Sequence, residues 1–265
     1  MSKTFSEDVV LIRRPKKILK KIGCFLLILL VMSVLIWGGN ILSGLLVGRE
    51  FNLFSSRKIT IPTMNYYAIV FGEFEREEDA KNCAIWTASS GGGAYIYAKT
   101  TYLVVGQVYK TEEEAKGVVE NFNKDLTYNA EVRKISLNKY SFKIENLNKS
   151  DRKDIIEIVG SINETISEIL NISNDLDKSV ISNVSASSKV NSIKSQIKIT
   201  KRELEARNID FQNDALTRIG DVFIKIEDSL DVCVNKLLSS ETYNTVLKYC
   251  ASEILFTYYD FCNNL

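Results

Sequence analysis

With 265 residues, 34 basic and 33 acidic side chains and a net charge of +1, the chain has room for one or two domains beyond an anchor. Nothing in its overall charge would draw it to nucleic acid. It contains no histidine, which removes Ser-His-Asp and Cys-His catalysis and histidine metal sites.

Residues 1–21 form a short tail in which Arg13, Arg14, Lys16, Lys17, Lys20 and Lys21 crowd against an apolar run that begins at Ile22. From Ile22 to Gly48 no side chain is charged, and only Asn40 is strongly polar. A bilayer core needs roughly 20 apolar residues, so residues 22–48 are expected to form a single transmembrane helix. Under the positive-inside rule the basic tail stays in the cytoplasm, and everything after residue 48 lies outside the cytoplasmic membrane. A cleaved leader has an apolar core of about 7–15 residues and an Ala-x-Ala-like site. This run is longer and has no such site, so the anchor is expected to be retained. Residues 49–64 read as a short polar linker, with Pro62 arguing against a continuing helix.

The next stretch repeats itself. Tyr67-Ala-Ile-Val-Phe-Gly-Glu-Phe74 runs into Glu77-Glu-Asp-Ala-Lys81, and Tyr102-Leu-Val-Val-Gly-Gln-Val108 runs into Glu112-Glu-Glu-Ala-Lys116. The apolar runs suit half-buried strands, Gly72 and Gly106 are expected to let the backbone turn, and the acidic clusters suit first helical turns. Thr111 and Glu114 make a capping box for the second helix. Ser89-Ser-Gly-Gly-Gly93 ends the first helix, Ala94–Lys99 adds a strand, Thr100-Thr101 turns tightly, and residues 130–137 add a fourth strand. The order is β-α-β-β-α-β, a four-stranded antiparallel sheet with two helices on one face. Alternation along the strands is expected to put Val70, Tyr95, Tyr97, Tyr102 and Val104 on the helix-free face.

After residue 138 the pattern changes to helical. Ser150 or Asp151 can cap a helix that carries Ile155, Val159, Ile162, Ile166, Ile169, Leu176 and Val180 in one seam, with Ser173 its one polar member. A turn is expected near Ser185–Ser188. Further stripes follow at Val190, Ile193, Ile197 and Leu204, at Ala215, Ile219, Val222, Ile226, Leu230 and Val234 (or Cys233 beside it), and at Tyr243, Val246, Leu247, Cys250, Ile254 and Tyr258. Residues 150–265 therefore form either a bundle of three or four antiparallel helices or a longer hairpin that needs a partner chain. The aromatic end, Phe256, Tyr258, Tyr259 and Phe261, can dock on that bundle or on another protein.

The fold class expected is α+β, with a tail (1–21), an anchor (22–48), a linker (49–64), a sheet domain (65–138) and a helical domain (150–265). Of the five cysteines, none has C-x-x-C spacing, which leaves no zinc or thioredoxin-like motif. If the last two helices form a hairpin, Cys233 and Cys250 come within disulfide reach, although free buried thiols are the more common state. The acidic clusters at Glu77 and Glu112 are accounted for by their helix starts, and Gly91-Gly92-Gly93 follows a helix rather than opening one. No catalytic constellation, metal site or cofactor motif is found, and no enzymatic activity is expected.

The doubled unit resembles the SPOR (sporulation-related repeat) domain of bacterial envelope proteins, over roughly residues 65–138. That resemblance implies binding to peptidoglycan glycan strands stripped of stem peptides, at septa, during sporulation or cell division. The family's glycan-contacting glutamine and serine fall on Val70 and Glu73, and its tryptophan and arginine fall on Thr100 and Tyr102, so none of the four is kept. With Tyr95 and Tyr97 these make the candidate glycan-binding set: Val70, Glu73, Tyr95, Tyr97, Thr100 and Tyr102. Tyrosines there can stack on sugar rings and donate hydroxyl hydrogen bonds. The rival expectation is a membrane-anchored scaffold without glycan affinity, whose sheet and helical parts (150–265) bind protein partners or a second copy.

Overall fold

The computed structural model describes residues 58–122, 129–239 and 243–263. The tail, the expected anchor and most of the expected linker lie outside the described residues. Among the described residues no helix is long and apolar enough to cross a membrane. In chain order the elements are β1 (Lys58–Ile61), β2 (Met64–Phe74), α1 (Glu77–Ser89), β3 (Tyr95–Ala98), β4 (Tyr102–Tyr109), α2 (Glu112–Phe122), β5 (Glu131–Leu137), β6 (Tyr140–Lys143), α3 (Lys149–Asp177), α4 (Asn183–Phe211), α5 (Asp214–Ser239) and α6 (Tyr243–Asn263).

The doubled βα unit folds as an antiparallel sheet in the order β3-β4-β2-β5. Helices α1 and α2 cover one face through Ala80, Cys83 and Ala115, which pack on Ile69, Phe71 and Val104. Thr111 caps the second helix as expected, with the Glu114 backbone N–H donating to its Oγ1 at 3.3 Å. The glycines do not end their strands. Both lie inside them, at two successive irregularities of the β2–β4 ladder. There the Phe71 ring lies so close to Gly106 that an added Cβ would meet it at 2.3 Å.

Two strands fall where none is expected. Residues 58–61, read as linker, pair antiparallel with β6 in a separate two-stranded sheet, from Lys58↔Lys143 to Ile61↔Tyr140. Ile59 and Phe142 are directly opposed in it and both are buried. Neither four-residue strand carries a periodic signal of its own, and each is stabilised by a partner about 80 residues away.

The four helices after residue 148 close into a ring, with α3 on α4, α4 on α5, α5 on α6 and α6 back on α3. Asn148, rather than Ser150 or Asp151, caps α3, its side chain accepting from the Asp151 N–H at 2.8 Å. The turn expected near Ser185–Ser188 lies earlier, at 178–182, because Ser182 caps α4 and Ser187 is buried inside that helix. Val180 therefore leaves the seam and is exposed. Ser173 stays in it, fully buried, and its hydroxyl donates to Asn244 Oδ1 of α6 at 3.1 Å.

Sheet and helices are not two separate domains. Residues 58 onward belong to one compact unit, and one hydrophobic core runs from Ala68, Val70 and Val105 through Ile162 and Ile166 to Leu230 and Ile254. The helix that joins them is α6. It buries Leu247, Cys250, Ala251, Ile254, Leu255, Phe256, Tyr258 and Phe261, so it is apolar around most of its circumference. It packs on α3 and α5 on one side and on β3, β4 and β5 on the other.

Candidate functional site

The face of the sheet away from α1 and α2 is the seat of α6. Tyr95 stacks on Phe256, with ring centroids 5.7 Å apart, and meets Tyr249 edge-on at 5.4 Å. Tyr97 lies 4.4 Å from Phe256, and its hydroxyl donates to Asp260 Oδ1 at 2.6 Å. Val70, opposite Val105, is completely covered. Three of the six candidate residues are thus used to hold the protein's own helix.

Tyr102 does not belong to this face. The ladder pairs Tyr95 with Val105, Tyr97 with Leu103 and Ala98 with Tyr102, so Lys99, Thr100 and Thr101 form a three-residue connection rather than a two-residue turn. That extra residue reverses the alternation. Leu103 and Val105 join the α6 side, and Tyr102 and Val104 pack with the α1/α2 cluster.

One end of the α6 face stays open. Beyond the last turns of α6 a cleft of about 650 Å3 is lined by Glu73, Tyr97, Lys99, Thr100, Thr101, Leu103, residues 133–136, Asn138, Phe256, Tyr259 and Asn263. Glu73, Tyr97 and Thr100 are the candidate residues that it brings together; Val70, Tyr95 and Tyr102 lie outside it. Glu73 accepts from the Thr101 hydroxyl at 2.5 Å and from Arg133 Nη1 at 2.9 Å. These two hydrogen bonds, Thr101 first, hold its carboxyl below the ordinary glutamate range. Arg133 also bonds Glu131, and Lys99 pairs with Asp260 at 3.0 Å. At the far wall the Asn263 carboxamide accepts from the Asn138 N–H and donates to the Ser136 carbonyl, both at 3.2 Å. It thereby occupies backbone groups at and just past the end of β5, a sheet edge that a further strand could otherwise use. Arg133, Lys99 and Asn263 were not singled out from the sequence, and Tyr259 only as part of the aromatic end. They reach the cleft from positions 26 to 190 residues beyond Glu73, and no local pattern ties them to it.

The opposite end of α6 is locked to the sheet. Lys248 is almost fully buried, yet its ammonium donates to the Gly91 carbonyl at 2.9 Å and pairs with Asp177 at 3.1 Å. Asn244 donates to the same Asp177 while accepting from Ser173. A cavity of about 230 Å3 beside this network is lined by Ile69, Phe71, Gln107 and Val118 together with the Ser90-Gly91-Gly92 turn. The three glycines thus have a role at this junction. Gly91 takes the left-handed conformation (φ 83°), and Gly93 touches the backbone of α6.

Burial of the phenols has a measurable consequence. Tyr66 is pushed up to about 12 by burial. Tyr95, Tyr97 and Tyr258 are raised as well, chiefly by burial, with Asp260 adding to the shift of Tyr97. A phenol that holds its proton more tightly when folded contributes stability that is intact below the ordinary tyrosine value of about 10 and is lost as pH rises through the folded value. Thermal melts followed by calorimetry are expected to show the midpoint falling once pH exceeds about 10, with phenolate absorbance from these residues appearing together with unfolding. Free titration of all the tyrosines in the folded state would contradict this account.

Among the described residues no group of three or more Cys, Asp or Glu side chains is placed to hold a metal ion. No family model matches the chain, and neither a curated protein nor a solved structure matches it.

Proposed function

We propose that this chain is a single-pass protein of the bacterial cytoplasmic membrane whose outer part, a SPOR-like sheet fused to a helix bundle, acts as an envelope scaffold that binds a protein partner. The proposed setting is the septum, in division or sporulation. The observation that carries this reading is the occupation of the sheet's open face by α6, where Phe256 covers Tyr95 and Tyr97 and Asp260 takes the Tyr97 hydroxyl. A glycan strand laid along that face would have to displace a helix that is itself part of the bundle core. The departures at Val70, Glu73, Thr100 and Tyr102 favour the same reading. So does the absence of any catalytic constellation in the sequence, which fits a binding role rather than an enzyme.

A second reading rests on the cleft. Tyr97 and Tyr259 stand beside the Glu73–Arg133 pair, and aromatic rings next to paired charges suit a sugar ring and its hydroxyls. On this reading a peptidoglycan strand is gripped at the end of the sheet rather than along it.

Sedimentation of segment 55–265 with amidase-stripped sacculi separates the two. The scaffold reading expects the protein to stay in the supernatant at physiological salt. Pelleting that is lost in both Glu73→Ala and Tyr259→Ala would replace it with the cleft-bound glycan.

A further inference from the structure

Helices α5 and α6 form a hairpin joined through residues 240–242, and Cys233 and Cys250 lie eight and nine positions from the middle of that connection. That register sets them side by side. The Cys250 thiol donates to the Ser229 carbonyl of α5 at 3.7 Å, one helical turn before Cys233, and both cysteines belong to the same buried core. Both side chains are 2 % exposed and both thiols are free.

We propose that Cys233 and Cys250 close to a disulfide that staples α6 to the bundle, by exchange with a disulfide donor such as oxidised glutathione or an oxidised dithiol oxidoreductase. One cysteine, as thiolate, attacks the donor disulfide and releases the first donor thiol. The other then attacks the mixed disulfide and expels the second. The protein loses two protons and two electrons, and the donor gains them as two thiols. Among the described residues no other pair is available. Cys83 lies on the α1/α2 side of the sheet, with its thiol directed at the Phe71 carbonyl, and Cys262 lies three helical turns beyond Cys250, roughly 18 Å along α6. The neighbouring Cys233 thiol first, and burial second, hold the Cys250 proton in place in the folded state. Exchange therefore proceeds through chains in which α6 has not yet docked, and the finished bond is shielded from reductant.

The test is to refold the full chain from denaturant in a glutathione redox buffer and count its thiols by alkylation and intact mass. The expected result is a fall from five reactive thiols to three, a mass lower by two hydrogens, and a peptide joining Cys233 to Cys250. Reduction of this species should lower its melting midpoint by about 5–10 °C. The double variant Cys233→Ala, Cys250→Ala should show no dependence on reductant. Five thiols remaining at equilibrium, or a bond through Cys83 or Cys262, would overturn the proposal; both readouts come from the unmutated chain and do not depend on the variant folding.

Discussion

Phe256→Ala is expected to destabilise the folded unit by about 3–5 kcal/mol, the upper range for truncating a buried aromatic residue. The ring is 2 % exposed and stacks on Tyr95 and Tyr97. The cost is high because the site has little freedom to collapse. Helix α6 is held by α3 and α5 behind and by three strands in front, so neither wall can move into the space without losing its own packing. Urea denaturation followed by far-ultraviolet circular dichroism measures the change directly. Phe256→Leu, which keeps most of the volume but loses the ring contacts, should recover more than half of the loss. A cost of under ~1 kcal/mol for the alanine variant would mean that α6 is not seated on the sheet.

Gly93→Ala is the second large effect, and it acts by excess rather than loss. A Cβ at Gly93 would lie 2.6 Å from the Lys248 carbonyl carbon and 2.6 Å from the Tyr249 amide nitrogen. Both are backbone atoms of a helix, so no side-chain rotation relieves the clash and the first turns of α6 have to shift. Overpacking of this kind costs about 1–3 kcal/mol. Here it also pulls the Lys248 ammonium from the Gly91 carbonyl and from Asp177, leaving a buried cation poorly paired. Hydrogen exchange should register the variant as faster exchange in the first two turns of α6, with α4 close to the parent protein. Unchanged protection across α6 would contradict the close approach.

The difference between these two residues shows what the sequence made legible. The heptad stripes of α3, α4 and α5 were readable because each helix has one apolar side, and Ile162, Ile197 and Ile226 are buried as the spacing expects. The two βα halves were readable because each contains a complete local signal of strand and acidic helix start. The second role of α6 was visible only indirectly. Ala251, Leu255 and Phe256 interleave with Cys250, Ile254 and Tyr258, so the helix is apolar on both sides. Reading it as a single stripe predicts one neighbour where there are two. The triple glycine marked a helix end, but the helix that presses on it is more than 150 residues away and leaves no local trace.

Facing was lost at a single turn. Counting Thr100-Thr101 as the whole connection between β3 and β4 sends Tyr102 to the wrong side, whereas the pairing includes Lys99 as well. In a structure with a two-residue period, one miscounted residue moves an entire strand's side chains across the sheet. The cleft was least legible, because its ionic rim joins β2, β5 and the β3–β4 turn while its aromatic wall comes from α6.

The position of α6 at the end of the described chain has a consequence for biosynthesis. Asn263 is translated roughly 120 residues after Lys143, so at ~5–20 residues per second the finished sheet waits on the order of 6–24 s for its cover. Throughout that interval Tyr95, Tyr97, Val70 and Val105 lack the helix that covers them, and the three preceding helices, once made, lack their fourth neighbour. A ribosome that stalls or terminates before residue 243 releases a product with both surfaces bare, a natural substrate for chaperones and quality-control proteases.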